Sequence, residues 1–520
     1  MNFTQCGEIL SNHLGKTYIV HFVILFGEII RVFYYLRVII DYSMKRLFIL
    51  IYIALCQMLL NYGLHARTVE GVVTCGGKKL SNVIVTDGFK FTKTKKNGEF
   101  KMSIADSARF VYIVTPSGYA GDWSSGAPQF YQKIDERDTY AFDLIRTGDP
   151  SDCYNIIAVG DPQPSKERHC DEFDGEPLDD LCKTVSELEG PSVGLVLGDV
   201  CFNKYHLMDR WKKSIVRTGI PFYAVPGNHD HVYEIETDRK GSEVYTEYFG
   251  PENYAFFIGK DVVIMLDNII HGLRSRHNYT EGYTEEQLAW VKALLKHIPK
   301  DGTVYVGQHS PTNGRAYLSG GKETDLILRG GEFLNLLKGR KVHIISGHNH
   351  VNMNFQYAPD VIEHNVAAIC GTWWDAYHCK DGTPRGYKVY TKKDERLTWY
   401  YKSVGKDKDF QYEVFLPGEA QMNPESVVVN LWDYDKDWTI TWFEDGVCKG
   451  EMTRVKEKNH LHKAELEATF AKKGKPVTKW KRTSVSSHYF AATPSDGARM
   501  ITVHIQNPFG KKWVENINLN

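Results

Sequence analysis

The sequence lacks an excess of charge, a cysteine pattern for metal binding and an uninterrupted apolar segment of membrane-spanning length. Its 63 lysines and arginines are balanced by 64 aspartates and glutamates, which leaves a formal net charge of −1. A chain without a strong field of one sign is not expected to gather nucleic acid or to bind an acidic membrane surface. Its ten cysteines include no Cys-x-x-Cys spacing, so we expect no site in which thiolates hold a metal.

The first 66 residues are largely apolar, but charged side chains interrupt them. Glu28 and Arg31 lie within residues 18–40, so a transmembrane anchor there would be energetically costly. Residues 44–66 begin with Met-Lys-Arg, continue with an apolar run and end in Leu-His-Ala. This order is typical of a secretory signal peptide, here with an imperfect cleavage site. We therefore interpret residues 1–43 as a misassigned upstream extension, with the anchor as the alternative, and expect an exported protein without a stable membrane span in its mature form.

The length of the chain predicts several domains. A single hydrophobic core does not extend over 520 residues, and about three domains are expected. Residues 67–148 contain short alternating apolar stretches separated by glycine-rich turns, which predicts a β-sandwich. Residues 149–382 indicate an α/β unit, in which Thr284 and Gln287 form a capping box before an apolar helix face. Residues 383–520 are again rich in predicted strands.

Eight cysteines remain outside the predicted extension and signal peptide. Export would permit disulfide bonds. Cys170 with Cys182, and Cys370 with Cys379, are close enough in sequence to form local pairs. The alternative is that these cysteines are reduced and mostly buried.

Five short motifs in the α/β unit carry the chemistry. They are Asp161-Pro162-Gln163, Gly198-Asp199, Gly227-Asn228-His229-Asp230, His309 and Gly347-His348-Asn349-His350. Each follows an apolar, β-branched run of the kind that forms a buried strand. We expect five strands of one sheet to bring these side chains to one edge, where open α/β sheets bind ligands. Carboxylate, amide and imidazole donors together suit a pair of divalent metals.

Each motif alone has a simpler interpretation. An Asp or Asn after a strand is usually a turn residue or a helix cap. A histidine such as His309, which precedes a Ser-Pro pair, is most often an ordinary loop residue. The occurrence of all five motifs in order, each at a strand end, favours a metal site over these local explanations.

Taken in order, the five motifs resemble those of the calcineurin-like metallophosphoesterases, over about residues 153–380. The flanking segments resemble the N- and C-terminal modules of exported bacterial members. This resemblance implies a four-layer-type metallophosphoesterase β-sandwich flanked by helices, an N-terminal module that is transthyretin-like or carboxypeptidase-regulatory-like, and a C-terminal β-rich module. It also implies a location in the periplasm or outside the cell.

The resemblance further implies a role for each motif residue. The first metal would be bound by Asp161, Gln163, Asp199 and His350. The second would be bound by Asp199, Asn228, His309 and His348, so that Asp199 bridges the two. His229 would face the substrate, stabilise the phosphoryl charge and protonate the leaving oxygen. Asp230 would orient the imidazole of His229.

The implied reaction is hydrolysis of a phosphomonoester, phosphodiester or diphosphate through attack by a metal-bridging hydroxide. The substrate would be a small phosphorylated molecule, and the leaving group stays open. Gln163 departs from the family pattern, which usually has histidine at this position. An amide oxygen in place of an imidazole favours Mn²⁺, although Mg²⁺, iron and Zn²⁺ stay compatible with the other donors.

Three later residues are weaker candidates for substrate contacts: His364, Trp373 and Arg385. Tandem tryptophans such as residues 373–374 usually pack in a core or at a domain seam. An arginine in a turn is usually solvated, although it can also pair with a phosphate. The alternative to an enzyme is a weakly active or inactive surface protein that binds phosphate or glycan.

Overall fold

The computed structural model describes residues 24–25, 27–29, 31–32 and 67–519, with gaps at 152, 234, 236, 273–278 and 315–324. The chain divides into two compact units, Met1–Ala66 and Arg67–Asn520. The predicted signal peptide lies outside the described residues, as does most of the predicted upstream extension. Across the described part of the chain, no helix is both long enough and apolar enough to cross a membrane.

The N-terminal module consists of two small sheets. Its strands are β1 (Thr68–Cys75), β2 (Lys78–Lys79), β3 (Ile84–Thr86), β4 (Phe91–Lys93), β5 (Glu99–Ser103), β6 (Phe110–Val114), β7 (Tyr119–Ala120), β8 (Tyr131–Lys133) and β9 (Thr139–Arg146). One sheet has the order β2-β1-β9-β7, with β5 also paired to β1, and the other has the order β4-β3-β6-β8. Alternate side chains of β9 are buried, as expected for strands that bury one face. The predicted β-sandwich is confirmed.

The α/β unit has two large sheets and one separate pair of short strands. Its strands are β10 (Cys153–Val159), β11 (Ser192–Val196), β12 (Phe222–Ala224), β13 (Tyr254–Ile258), β14 (Asp261–Leu266), β15 (Ile269–His271), β16 (Tyr279–Glu281), β17 (Val304–Gln308), β18 (Val342–Ser346), β19 (Met353–Ala358), β20 (Val361–Asn365), β21 (Gly386–Lys393) and β22 (Arg396–Ser403). One large sheet has the order β12-β11-β10-β21-β22, and the other β13-β14-β17-β18-β20-β19. The short strands β15 and β16 pair with each other.

This topology corrects the prediction that the five motif-bearing strands share one sheet. Strands β10, β11 and β12 belong to the first sheet, whereas β17 and β18 belong to the second. Strands β11 and β17 are buried along their whole length because both faces of each sheet are covered. The site is therefore built where the ends of two sheets meet.

Among its described residues, the α/β unit has seven α-helices. They are α1 (Glu167–Asp174), α2 (Glu176–Glu187), α3 (Leu207–Ile215), α4 (Asp238–Gly241), α5 (Glu243–Phe249), α6 (Glu285–Leu294) and α7 (Gly330–Leu336). The capping box predicted for α6 is confirmed. The Gln287 backbone N–H donates to Thr284 Oγ1 at 3.1 Å, and the Thr284 N–H donates to Gln287 Oε1 at 2.7 Å. Leu288, Val291 and Leu294 on this helix are buried in the core.

The C-terminal module is a third pair of sheets. Its elements are β23 (Glu413–Phe415), β24 (Val427–Asn430), β25 (Thr439–Glu444), β26 (Val447–Glu451), β27 (Thr453–Glu457), α8 (His460–Lys472), β28 (Ser486–Ala492), β29 (Met500–Gln506) and β30 (Lys512–Asn518). The sheet orders are β23-β24-β28-β27 and β26-β25-β29-β30. Strands β21 and β22, which the sequence assigned to this module, extend the first sheet of the α/β unit, because β21 pairs with β10 and β22 pairs with β21. That sheet thus continues beyond the predicted boundary at residue 382.

The structure contradicts the suggested disulfide bonds. All eight cysteines in the described part of the chain are free thiols. Cys370 and Cys379 are buried, and their thiol groups contact backbone carbonyl oxygens instead of each other. Proximity in the sequence was therefore a poor guide to disulfide pairing, because a disulfide also requires a specific distance and orientation of the two side chains.

Candidate metal centre

The five motifs meet in space although they come from two sheets. Asp161, Asp199 and Asn228 follow β10, β11 and β12, and the histidine motifs follow β17 and β18. The backbone N–H of His348, from the second sheet, donates to Asp161 Oδ2 of the first at 2.9 Å. This bond joins two residues that are 187 positions apart in the sequence. The predicted ligands thus converge on one buried location.

One group of donors surrounds His309. Its Nε2 atom lies 3.4 Å from Asp199 Oδ1, 3.1 Å from Asn228 Oδ1 and 3.0 Å from His348 Nδ1. The donor atoms of Asp199, His309 and His348 all lie within 4.8 Å of one another, and all three residues are buried. A cation placed between these four donor atoms would satisfy them better than their contacts with one another do.

A second group lies on the other side of Asp199. His350 Nε2 is 3.5 Å from Asp161 Oδ1, and the Gln163 amide donates through Nε2 to Asp199 Oδ2. Asp161 Oδ1 and Gln163 Oε1 are buried without a hydrogen-bond partner. Buried oxygen atoms without partners are rare in folded proteins and require an explanation. A bound divalent metal would supply it, so the residues fit a metal at this second position too.

In His309 and His348, one ring nitrogen contacts the surrounding protein, and this contact determines which ring nitrogen is available to a metal. His309 Nδ1 donates to the Leu197 carbonyl oxygen at 2.7 Å, so its Nε2 faces the cluster. His348 Nε2 lies 3.0 Å from Glu281 Oε1, so its Nδ1 faces the cluster. Such outer partners orient metal-binding imidazoles and raise their basicity. Glu281 was missed in the sequence, where it follows no recognisable motif.

The protonation of the cluster shows where positive charge is stabilised. Burial alone would raise the pKa of Asp199, but the neighbouring imidazoles of His309 and His229 hold it well below its usual range. Burial would lower the pKa of His309, but the Asp199 carboxylate raises it to about 9. The site therefore favours a cation next to Asp199, and a metal ion would take the place of this proton.

The backbone is left-handed at most of the predicted ligands. Positive φ angles of 42° to 70° occur at five of them, namely Asp161, Gln163, Asp199, His348 and His350. Residues other than glycine adopt this conformation rarely, and such positions cluster at functional sites. Two left-handed turns, instead of strand alternation, direct the imidazoles of His348 and His350 into the cluster.

Two motif glycines are explained by close packing. A Cβ atom at Gly227 would lie 2.2 Å from Asp199 Oδ1. A Cβ atom at Gly198, where φ is +85°, would lie 2.5 Å from His309 Nδ1. Any side chain at either position would displace a ligand, so these glycines allow the strands' ends to approach each other.

His229 lies beside the metal ligands and has its own supports. The Phe202 ring stacks on the imidazole with the centroids 4.0 Å apart, and His229 Nδ1 lies 3.1 Å from Asn203 Oδ1. Burial lowers the pKa of His229, while the charge of Asp199 acts in the opposite direction. Phe202 and Asn203 were missed, since a Phe-Asn pair after a Gly-Asp motif has no distinctive spacing.

The structure corrects the predicted role of Asp230. Its carboxylate accepts hydrogen bonds from the backbone N–H groups of Val200, Cys201 and Gly227 at 2.9 to 3.0 Å. It does not orient the imidazole of His229, because Asn203 occupies that position. Asp230 instead ties the loop after β11 to the loop after β12. Burial, together with the charge of Asp199, raises its pKa to about 7.

Of the three weaker substrate candidates, only Trp373 reaches the centre. Its indole stacks on the His350 ring with the centroids 4.3 Å apart. The Arg385 guanidinium donates to Glu176 Oε2 at 2.9 Å and lies over the Tyr377 ring. Arg385 is thus held in an ion pair with Glu176 and is only 18% exposed, so it is neither a contact of the centre nor the solvated arginine of the simpler interpretation.

His364 is the third weaker candidate, and the structure corrects it. The side chain is completely buried, with Nδ1 2.8 Å from Asn354 Oδ1 and Nε2 3.0 Å from His343 Nδ1. Its strand position directs it into this polar cluster instead of toward the strand end. A substrate contact by His364 is therefore excluded.

The fold and the donor set together indicate a metal-dependent enzyme with a two-sheet α/β core. Residues 154–352 match the family described as calcineurin-like phosphoesterase. Residues 67–147 match the N-terminal part of such phosphoesterases, and residues 363–513 match the C-terminal part. The chain belongs to the calcineurin-like phosphoesterase family. This membership confirms the resemblance seen in the motifs.

Individual relatives are distant. A probable glycerophosphodiester phosphodiesterase from Arcobacter nitrofigilis is 26% identical over 125 residues, which cover 23% of this chain and 42% of the relative. The match therefore spans less than half the length of that relative. A solved dimetal phosphatase from Danio rerio is 16% identical, with coverage of 49% of this chain and 97% of its own, and a TM-score of 0.35. A 5'-nucleotidase from Candida albicans is 12% identical, with coverage of 49% and 52%, and a TM-score of 0.32.

Proposed function

We propose that the protein is an exported phosphoesterase that uses two divalent metals to hydrolyse a phosphomonoester, phosphodiester or diphosphate. The observation that carries this proposal is the position of Asp199 between two groups of donors. Its Oδ1 atom faces His309 at 3.4 Å, and its Oδ2 atom accepts from Gln163. A buried carboxylate shared in this way is what a pair of neighbouring metals requires.

The donor groups define what each residue would hold. One metal would be bound by Asp161, Gln163, Asp199 and His350, and the other by Asp199, Asn228, His309 and His348. Bound there, the metals would neutralise phosphate oxygens and supply a nucleophilic water at neutral pH. The roles of these side chains are to hold the cations and to position the phosphate.

His229 would supply the proton for the leaving group. Its Nδ1–H is directed at the Asn203 oxygen, which leaves Nε2 as the atom available to a substrate. The negative charge of a bound phosphate would favour the imidazolium form, against the effect of burial. Protonated Nε2 would then stabilise a phosphoryl oxygen or donate to the departing oxygen.

We infer that manganese is the preferred metal. Gln163 donates through its amide nitrogen to Asp199, so that its Oε1 atom is left without a protein partner. An amide oxygen at this position makes the first site richer in oxygen than a histidine would. Oxygen ligands favour Mn²⁺ and Mg²⁺ over Zn²⁺.

Export is proposed from the sequence of residues 44–66. The basic start, the apolar run and the small final residue are the supporting features. N-terminal sequencing of the mature protein should find a start close to residue 67. A mature start upstream of residue 44 would contradict the proposal.

Assays with p-nitrophenyl phosphate and bis-p-nitrophenyl phosphate in the presence of manganese test the activity. Glycerophosphodiesters belong in the same panel, because the curated relative is named for them. We expect turnover that a chelator abolishes and that Asp199→Asn abolishes. Asp209→Asn, an exposed change on α3, is the matched control and should keep full activity. No turnover with any divalent metal, or turnover that survives the chelator, would contradict the proposal.

A further inference from the structure

A pocket of about 220 Å³ opens beside Gln163. One wall belongs to the α/β unit and includes Phe202 and Trp373. The opposite wall belongs to the C-terminal module and includes Trp480 and Lys481. The C-terminal module therefore contributes side chains to a cavity that begins at a predicted metal ligand.

The position of the pocket identifies what would enter it. Phe202 stacks directly on His229, and Trp373 stacks directly on His350. The pocket thus extends outward from the side of the centre that carries the predicted proton donor. The part of a substrate that receives a proton from His229 is the leaving group, so the leaving group is the part that faces this pocket.

The aromatic walls are suited to a ring. Trp480 meets Trp373 edge to face, with the centroids 4.5 Å apart, and Trp480 itself is 51% exposed. Together the two indoles offer a flat apolar surface against which a ring can stack.

The charge of the walls is positive. Lys166, Lys473 and Lys481 line the pocket, whereas Asp375 is the one acidic residue among its lining residues. Asp375 already pairs with two of the lysines, with Lys481 Nζ 2.6 Å from its Oδ2 atom. His169 adds no charge at neutral pH, because burial and the nearby lysine and arginine lower its pKa to about 4.

We propose that the C-terminal module completes a leaving-group pocket, which selects phosphoesters whose leaving group carries a ring and a second negative charge. This inference rests on the proposed function. It gives the C-terminal module a role in specificity that the metal ligands cannot provide, since they contact only the phosphate. The second charge is a phosphate or carboxylate held by Lys481 and its neighbours.

Two substrates that differ only in charge test this proposal. They are 4-carboxyphenyl phosphate and its neutral amide, 4-carbamoylphenyl phosphate, each also supplied as a methyl phosphodiester. We expect kcat/KM to be about three- to tenfold higher for the carboxylate, the range of a partly exposed charge-assisted contact. The ratio of the two values within one enzyme sample does not depend on the fraction of protein that is folded or metal-loaded.

Two variants should move this ratio in opposite directions. Lys481→Met keeps an apolar side chain of similar length and should reduce the ratio toward one. Asp375→Asn frees the lysines from their acidic partner and should raise the ratio. Lys479→Met, an exposed change in the same helical turn but outside the pocket, should leave it unaltered.

A wild-type ratio near or below one, or a ratio that neither Lys481→Met nor Asp375→Asn changes, would overturn the inference while leaving the phosphoesterase activity intact. Hydrolysis of none of these compounds by a protein that hydrolyses p-nitrophenyl phosphate or bis-p-nitrophenyl phosphate would overturn the inference alone. Hydrolysis of neither set with any divalent metal would overturn both proposals. The result for Lys481→Met is sufficient by itself. The inference can therefore still be contradicted if Asp375→Asn does not fold.

Discussion

At the scale of single residues, the site separates metal binding from proton transfer. His229 is held by the Phe202 ring and the Asn203 amide, whereas the ligand histidines are held by Leu197, Glu281 and Gly371. The two kinds of histidine differ in their partners and also in their burial, since His229 is only partly buried whereas the ligand histidines are buried. Substitutions should therefore affect metal content and turnover independently.

His229→Ala should lower kcat by roughly 10²–10⁴-fold, the usual contribution of a general acid. Metal content should not change, because no predicted ligand is removed. Parallel measurement of kcat and of metal per chain checks both statements. Asn203→Ala should lower kcat less, by roughly tenfold, since the imidazole stays and only its orientation is lost. Loss of metal in His229→Ala would mean that His229 is itself a ligand.

Gln163→His should change the preference for metals. An imidazole nitrogen would replace the amide oxygen, so the affinity for Zn²⁺ should increase relative to that for Mn²⁺. Competition between the two metals, measured with the purified protein, gives the ratio directly. A ratio equal to that of the wild type would remove Gln163 from the ligand set.

At the scale of elements, the segment between β20 and β21 joins the α/β unit to the C-terminal module. His378 in this segment lies with Nδ1 2.7 Å from Glu465 Oε1 on α8 and with Nε2 3.2 Å from Glu413 Oε1 on β23. Burial would lower the pKa of His378, but the two carboxylates raise it to about 9. The protonated imidazole thus holds two elements of the module to this segment.

This ion pair predicts a dependence of stability on pH. The pKa of His378 is higher in the folded chain than its ordinary value of about 6.5, so protonation favours folding. The contribution is fully present below pH 6.5 and is lost as the pH rises through about 9. The difference in Tm between wild type and His378→Gln should therefore shrink between pH 6.5 and pH 9.5. A difference that stays constant over this range would contradict the assignment.

A second link between the two parts is a buried ion pair. Lys388 on β21 is fully buried, and its Nζ atom lies 2.6 Å from Asp433 Oδ1 in the C-terminal module. Lys388→Met would leave the Asp433 carboxylate buried without its cation, and we expect a loss of about 3–5 kcal/mol in the free energy of unfolding. Urea denaturation measures this loss.

The double change Lys388→Met with Asp433→Leu is the matched control, because it removes both charges. It should recover most of the lost stability, as replacement of a whole buried pair by apolar side chains often does. Equal destabilisation by the single and double changes would show that packing, and not the unpaired charge, determines the effect.

At the scale of the whole molecule, the order of the motifs and their positions at strand ends could be read from the sequence. Apolar runs of β-branched residues mark buried strands, and the α6 capping box has a fixed spacing. The division of the strands between two sheets could not be read, because the local pattern does not reveal which strands pair. For the same reason, the pairing of β21 with β10 could not be read from the sequence.

The donor residues of the candidate site could be predicted from the sequence, but their geometry could not. The residue types of the seven predicted ligands follow from the chemistry of divalent metals. Their left-handed turns and the partners Asn203 and Glu281 depend on contacts between distant segments. Asp230 was misassigned for the same reason, because its position next to His229 suggested a contact that the fold gives to Asn203 instead.

The most direct test of the account is a crystal soaked in Mn²⁺ and measured at the manganese absorption edge. The account predicts two anomalous peaks about 3.5–4 Å apart, with the Asp199 carboxylate between them. Gln163 and His350 should contact one peak, and Asn228 and His348 the other. A single peak, or peaks bound by other residues, would contradict the proposed pair of metals.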